Sequence, residues 1–375
     1  SLQARSAERS GAQVEVTGAE LVTWDHGVLW RERALFLGET TALPLFVRNL
    51  LVSLAHLGAL GTLHASSVVV PCNAYFNPPW ERHVMSTTGT VNEGRQVDDE
   101  YYISGVRKIC PVLNGAVIKN PPEAAINKHP VIVMLSHVYP LKDVICAIQA
   151  ANLLLNDPDY PISTFKLDIF GSTDKDRDYV ARCRTLIDAS GLASQVQLKG
   201  LGAPAAVLGS GDVFLNTSAS EGLPLALIEA SSAHVPVVAT DVGASREVVL
   251  DPSGQWMGVV VPPRDPKAVA DGILALLLGV DPNLPADKRS NMVQVELEAI
   301  FDQSVTSMKK TPDELFLQRF EETRGFREML GNRAAAHAAR YFNFEAYTLH
   351  HEEVIWNAHL VATEGAGLDA DDDVD

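Results

Sequence analysis

The segment Ser218-Ala219-Ser220-Glu221-Gly222-Leu223-Pro224-Leu225-Ala226-Leu227-Ile228-Glu229-Ala230 gathers the residue types best able to do chemistry in this chain. Glu221 falls in a loop and Glu229 on the second turn of the helix that follows, so two carboxylates flank a phosphate-sized pocket without both entering it. Gly222 lets the backbone come close to a ligand, and Pro224 suits the first helical position, where a missing N–H costs nothing. The free N–H groups of that first turn make an anion site. Carboxylates accept hydrogen bonds from hydroxyls, so the arrangement suits a sugar at one end and a ribose at the other.

Something must hold that segment, and the periodicity around it says what. From Val131 onward the sequence alternates regularly. Strands are predicted over 131–135, 165–170, 195–198, 213–216, 235–239 and 258–261, and helices over 144–155, 177–190, 224–233 and 266–278. Apolar strands separated by amphipathic helices predict a parallel sheet wound on both sides, with ligands at the carboxyl ends of its strands. Upstream the pattern is thinner. It offers short strands ending at Thr23 and Val70, a helix over 44–64, a helix opening at Asn77, and a strand over 108–113 that closes on the turn Asn114-Gly115. The domain reading is a partial first lobe over 1–118, a Pro/Asn-rich linker over 119–129 and a second lobe over 130–347 with a surface insertion at 281–310. A C-terminal helix over 348–360 and an acidic, disordered tail over 361–375 follow.

With 375 residues, two domains are expected. Thirty basic against 47 acidic residues give a net charge of −17. A field of that sign repels nucleic acid and anionic membrane faces, so a polyanionic ligand must be met by a local cationic pocket. Cys72, Cys110, Cys146 and Cys183 form no CxxC pair and no Cys/His cluster, which argues against a zinc site and a disulfide scaffold and fits a reducing cytoplasm. The apolar stretch 50–70 carries His56 and His64 and reads as a buried helix and strand, so no transmembrane segment is expected. The acidic runs Asp98-Asp99-Glu100 and Asp371-Asp372-Asp373 fall in loops without sheet context, and no metal is expected there. No G-x-G-x-x-G follows a predicted strand, which disfavours a dinucleotide-dependent oxidoreductase.

Glu-x7-Glu followed by Val235-Pro236-Val237-Val238-Ala239-Thr240-Asp241-Val242-Gly243 and Arg246-Glu247 resembles the nucleotide-sugar lobe of the retaining family-4 glycosyltransferases of the GT-B fold. Thr23-Trp24-Asp25-His26-Gly27, Arg31-Glu32-Arg33, Trp80-Glu81, Asn114-Gly115 and Tyr139-Pro140-Leu141-Lys142-Asp143 are similar to the Pel exopolysaccharide glycosyltransferase subgroup. The resemblance implies two Rossmann-like lobes, the first incomplete here, and a UDP-hexose donor, UDP-glucose foremost. Under it Glu229 binds ribose hydroxyls, Glu221 binds hexose hydroxyls, and the backbone of Gly222, Leu223, Pro224 and Leu225 holds the hexose and distal phosphate. Lys142 neutralises the diphosphate, His26 faces the reaction centre, and Gly171 and Gly200 border the nucleotide. The acceptor is an unidentified glycan or small molecule, and association with a membrane polysaccharide-export complex is implied. No protein nucleophile is implied, because the departing diphosphate can itself take the acceptor's proton, and no cofactor or metal is expected, because helix amides and side-chain cations meet the diphosphate.

Two departures from the pattern bear on the site. Ser136-His137 stands where the family has Gly-Arg, making one of two diphosphate cations titratable. His234 stands where a glycine usually ends the helix, at a position that prefers a left-handed residue. With the first lobe incomplete, a non-catalytic nucleotide-sugar-binding subunit stays open as the alternative.

Overall fold

The computed structural model describes residues 22–25, 68–71, 102–103, 106–107, 115–116, 125–160, 162–307, 310–344 and 347–349. The chain divides into two compact units, residues 1–114 with 344–375 and residues 115–343. In the first, β1 (Val22–Asp25) pairs in parallel with β2 (Val68–Pro71), while β3 (Tyr102–Ile103) and β4 (Val106–Arg107) pair antiparallel. β1 and β2 match the two short strands expected there. The helices expected from 44 and 77, the strand over 108–113, Arg31, Arg33, Trp80, Asn114, the end of the C-terminal helix and the acidic tail lie outside the described residues.

The second unit is built on a six-stranded, all-parallel sheet of β5 (Val131–Leu135), β6 (Lys166–Phe170), β7 (Val196–Gly200), β8 (Val213–Asn216), β9 (Val237–Thr240) and β10 (Val259–Val261). Its order is β10-β9-β8-β5-β6-β7. The chain runs outward from β5 to β7, crosses back, and then runs outward the other way from β8. The topological switch therefore lies between β5 and β8, whose pairing runs through Ile132 to Val213 and Val133 to Phe214. At such a switch the loops leaving the two strands turn apart and open a crevice at the carboxyl ends.

Every residue of β8 and β9 is buried, so both sheet faces are covered. Helices α1 (Val144–Asn156), α2 (Arg177–Ala189), α3 (Pro204–Ser210), α4 (Leu225–Ser232) and α5 (Ser245–Val249) lie between strands or after them. After β10 come α6 (Pro266–Leu278), α7 (Ala286–Ser307), α8 (Pro312–Glu322) and α9 (Arg324–Tyr341). One group of helices packs α1 against α2 and α6, and a second packs α4 against α5 and α9. α6 reads as apolar nearly all round, and all of its residues from Val269 to Leu278 are buried.

Three departures from the sequence reading have physical causes. The surface insertion expected at 281–310 is largely α7, whose Val293, Leu297 and Ile300 enter the core. Its polar composition hides a single apolar stripe. Within the stretch read as linker, Ala125 N–H donates to Gly209 O (2.9 Å) and Asn127 Nδ2 to Asp212 Oδ2 (3.0 Å), so that part is fastened to the second unit. The short helices α3 and α5 were not expected, because seven and five residues hold too few turns to show a period. The expected left-handed residue is present: His234 has φ 62°, and Nδ1 of its ring meets Asn332 Oδ1 at 2.8 Å.

Candidate functional site

Five strand ends, those of β5 to β9, lie along the edge of the sheet where the crevice between β5 and β8 opens. β5 ends in Ser136-His137-Val138 and then one 3-10 turn, Pro140–Lys142. Ser136 N–H donates to Phe170 O (2.7 Å), Val138 N–H to Ser172 O (3.0 Å) and Gly171 N–H to Gly200 O (2.7 Å). These bonds fix the exits of β5, β6 and β7 side by side. A Cβ on Gly171 would collide with the Ser136–His137 peptide, so glycine is required by close approach at this crossing.

The loop leaving β8 is stitched to the turn after β5. Ala219 N–H donates to Leu141 O (2.8 Å), and Thr217 Oγ1 lies 3.1 Å from Lys142 O and 3.0 Å from Asp143 O. Lys142 Nζ meets Glu221 Oε1 at 2.5 Å across the switch, and Ser218 Oγ donates to the same oxygen at 2.7 Å. Glu221 and Lys142 side chains are only 12% and 21% exposed, so their ion pair is better shielded from solvent than a surface pair. Both bonds fall on Oε1, so Oε2 is left to accept from other hydroxyls.

The other wall is the turn after β9. Ala244 N–H donates to Gly222 O (2.8 Å), and Thr240 Oγ1 donates to Ser218 O (2.6 Å). Gly243 has φ 53°, and a side chain there would strike the carbonyls of Glu221 and Gly222. Gly222, Leu223 and Pro224 are buried by this packing, while Leu225 stands half exposed at the mouth of α4.

Pro224 is the residue preceding α4 and not its first helical residue, which corrects the sequence reading by one position. Its carbonyl accepts from Leu227 and Ile228 N–H. Leu225 and Ala226 N–H then have no acceptor among the described residues, and these are the amides able to meet an anion. Glu229 lies one turn further along, half-buried, with no hydrogen-bond partner among the described residues. Burial pushes its carboxyl above the usual range.

His137 sits beside this pocket. Ser172 N–H donates to its Nδ1 at 3.2 Å, which requires that nitrogen to be unprotonated. Burial lowers the imidazole pKa, with the ammonium groups of Lys175 and Lys142 adding to the effect. The expected second cation is thus held neutral. Gly200 lies with Gly171 at the exits of β7 and β6. His26 lies outside the described residues.

Sequence reasoning passed over three groups. Lys175, in the loop after β6, reads as an ordinary solvated lysine. Ser218, which fixes the rotamer of Glu221, lay within the motif without an assigned role. Glu247 on α5 has a buried Oε1 without a hydrogen-bond partner among the described residues, and burial raises its pKa to about 7. Only the position of Lys175 just past a strand's carboxyl end could have signalled it. Among the described residues no group of three or more His, Cys, Asp or Glu could hold a metal ion, and no helix is long and apolar enough to cross a membrane.

Residues 129–278 match the family described as "Glycosyl transferases group 1". Sucrose-phosphate synthase from Thermosynechococcus elongatus superposes with a TM-score of 0.57 at 15% identity, covering 93% of this chain and 69% of that one. Anabaena HepE in complex with UDP and glucose superposes with a TM-score of 0.55 at 16% identity, covering 90% and 71%. At such identities the likeness shows the fold, which is GT-B. An exopolysaccharide phosphotransferase of Streptomyces coelicolor is 34% identical over 155 residues, covering 39% of this chain and 15% of that protein's length.

Proposed function

We propose that the chain is a glycosyltransferase that moves a hexose from a UDP-sugar, with UDP-glucose as the first candidate, to an acceptor hydroxyl with retention of configuration. The observation that carries this reading is the Lys142–Glu221 bridge across the topological switch, beside the open amides of Leu225 and Ala226 and one turn from Glu229. That set supplies a cation and two N–H groups for a diphosphate, and a carboxylate on either side for hydroxyls. HepE, which shares the fold, is a complex with UDP and glucose.

In this reading the bond between the anomeric carbon and the diphosphate oxygen breaks while the acceptor oxygen bonds to that carbon on the same face. The acceptor's proton passes to the departing diphosphate. Lys142 and the α4 amides stabilise the negative charge that develops on the leaving group, and Glu221 and Glu229 orient the two sugars. A membrane-associated polysaccharide acceptor accords with the exopolysaccharide in the name of the Streptomyces relative.

Calorimetric titration of the chain with a panel of nucleotide sugars tests the reading, with UDP-glucose expected to bind best. Glu229→Ala should weaken UDP binding by about 1.5 to 3 kcal/mol, the range for hydrogen bonds to a charged group. Unchanged UDP affinity in that variant removes Glu229 from the site. Tight UDP-sugar binding without transfer or hydrolysis would leave a nucleotide-sugar-binding subunit.

A further inference from the structure

The donor-site reading accounts for Lys142 but leaves a second ammonium group at the same strand ends unexplained. Lys175 leaves β6 in the loop Gly171–Asp176, whose backbone is bonded to that of the β5 exit through Val138 N–H and Ser172 O. Its Nζ lies over the ring of Tyr139, 5.2 Å from the centroid. Tyr139 in turn heads the 3-10 turn that carries Lys142, whose N–H donates to Tyr139 O at 3.0 Å. Two loops from neighbouring strands thus bring two ammonium groups to one crevice.

The carboxylates nearest in sequence make no ion pair with Lys175. Asp176 caps α2, accepting from Tyr179 N–H at 2.8 Å, and Asp174 accepts from Ser172 Oγ at 3.3 Å. Glu221 is taken by Lys142. Lys175 has no carboxylate within ion-pair distance among the described residues, and its like charge acts on His137 together with that of Lys142. An ammonium group without an ion-pair partner among the described residues, beside a second one at the same strand ends, is available to an anion.

Resting on the donor-site reading, we propose that Lys175 is a diphosphate-binding residue that swings from the Tyr139 ring to the phosphates and supplies the second positive charge beside Lys142. The stem is exposed and the cation–π contact at an exposed site is weak, so the side chain can exchange the ring for an anion at little cost. A phosphate contact of this kind is worth about tenfold in affinity.

The test titrates UDP and uridine into the full chain, into Lys175→Met, which keeps the apolar stem, and into Lys175→Arg. The Met variant should bind UDP about tenfold more weakly, bind uridine as the parent does, and lose less at high salt, where an exposed charge is screened. The Arg variant should bind UDP as the parent does. Equal UDP affinity in parent and Met variant overturns the assignment of Lys175 alone. An equal loss for uridine and UDP also overturns it, because the effect would not lie at the phosphates. A parent chain that binds UDP no better than uridine overturns the donor-site reading, and the role of Lys175 with it.

Discussion

At the scale of single residues, the most unusual group is His137. Its Nδ1 is committed to accepting from Ser172 N–H, and burial and two ammonium groups hold its pKa below 6.5. A bound diphosphate works in the opposite direction and raises that pKa, so binding takes up a proton. Affinity should therefore rise as pH falls through the raised value in the complex, and level off only below the lowered value of the free chain. His137→Arg stays charged throughout, so it should bind UDP-glucose more tightly than the parent at pH 8 and show a flat profile. Equal binding by parent and variant at pH 6 and pH 8 would clear His137 of any role in the clamp. Glu221, Glu229 and Lys142 were legible because a strand-loop-helix context and the Gly-Leu-Pro between the glutamates restrict what they can be. Lys175 was not, since a lysine between two aspartates looks the same on any surface.

At the scale of elements, α5 shows how a site wall can carry a cost. Its five residues hold the Gly243 turn against Glu221 and Gly222, and His337 Nε2 donates to Glu247 O at 2.9 Å from α9. In this tight packing Glu247 keeps a buried oxygen without a partner among the described residues, and its pKa rises to about 7 from an ordinary 4.5. The folded state therefore binds this proton more tightly than the unfolded state. The protonated carboxyl's contribution to stability is full below pH 4.5 and is lost as pH rises through about 7. Glu247→Gln removes the titration. It should match the parent near pH 5 and exceed it by about 1 to 3 kcal/mol at pH 8, as read by urea denaturation. Parallel pH profiles for the two proteins would show that Glu247 ionises without penalty. The sheet and long helices were readable from apolar period, whereas α5 was not, because five residues contain little more than one turn. The polar surface of α7 concealed Val293, Leu297 and Ile300 for a related reason: a narrow stripe on a 22-residue helix is diluted by everything around it.

At the scale of the molecule, the second unit contains every described residue of the proposed donor site. Its ends are tied to each other, with Ala116 N–H donating to Phe342 O at 3.0 Å, and its sheet is enclosed by two helix groups of its own. Residues 115–343 expressed alone should therefore fold cooperatively and bind UDP with the affinity of the full chain. Transfer is a separate matter, since the resemblance assigns His26 to the reaction centre and that residue belongs to the first unit. The charge balance of the site makes a further demand on the same fragment. In the proposed reading Lys142, the amides of Leu225 and Ala226 at the start of α4, and Lys175 offer positive charge and donors to a diphosphate in place of a divalent ion. UDP affinity of the 115–343 fragment should then be the same in excess chelator as in millimolar Mg²⁺ or Mn²⁺. Loss of binding in chelator that either ion restores would mean that the diphosphate reaches the protein as a metal complex, and the cations at the switch point would need another role.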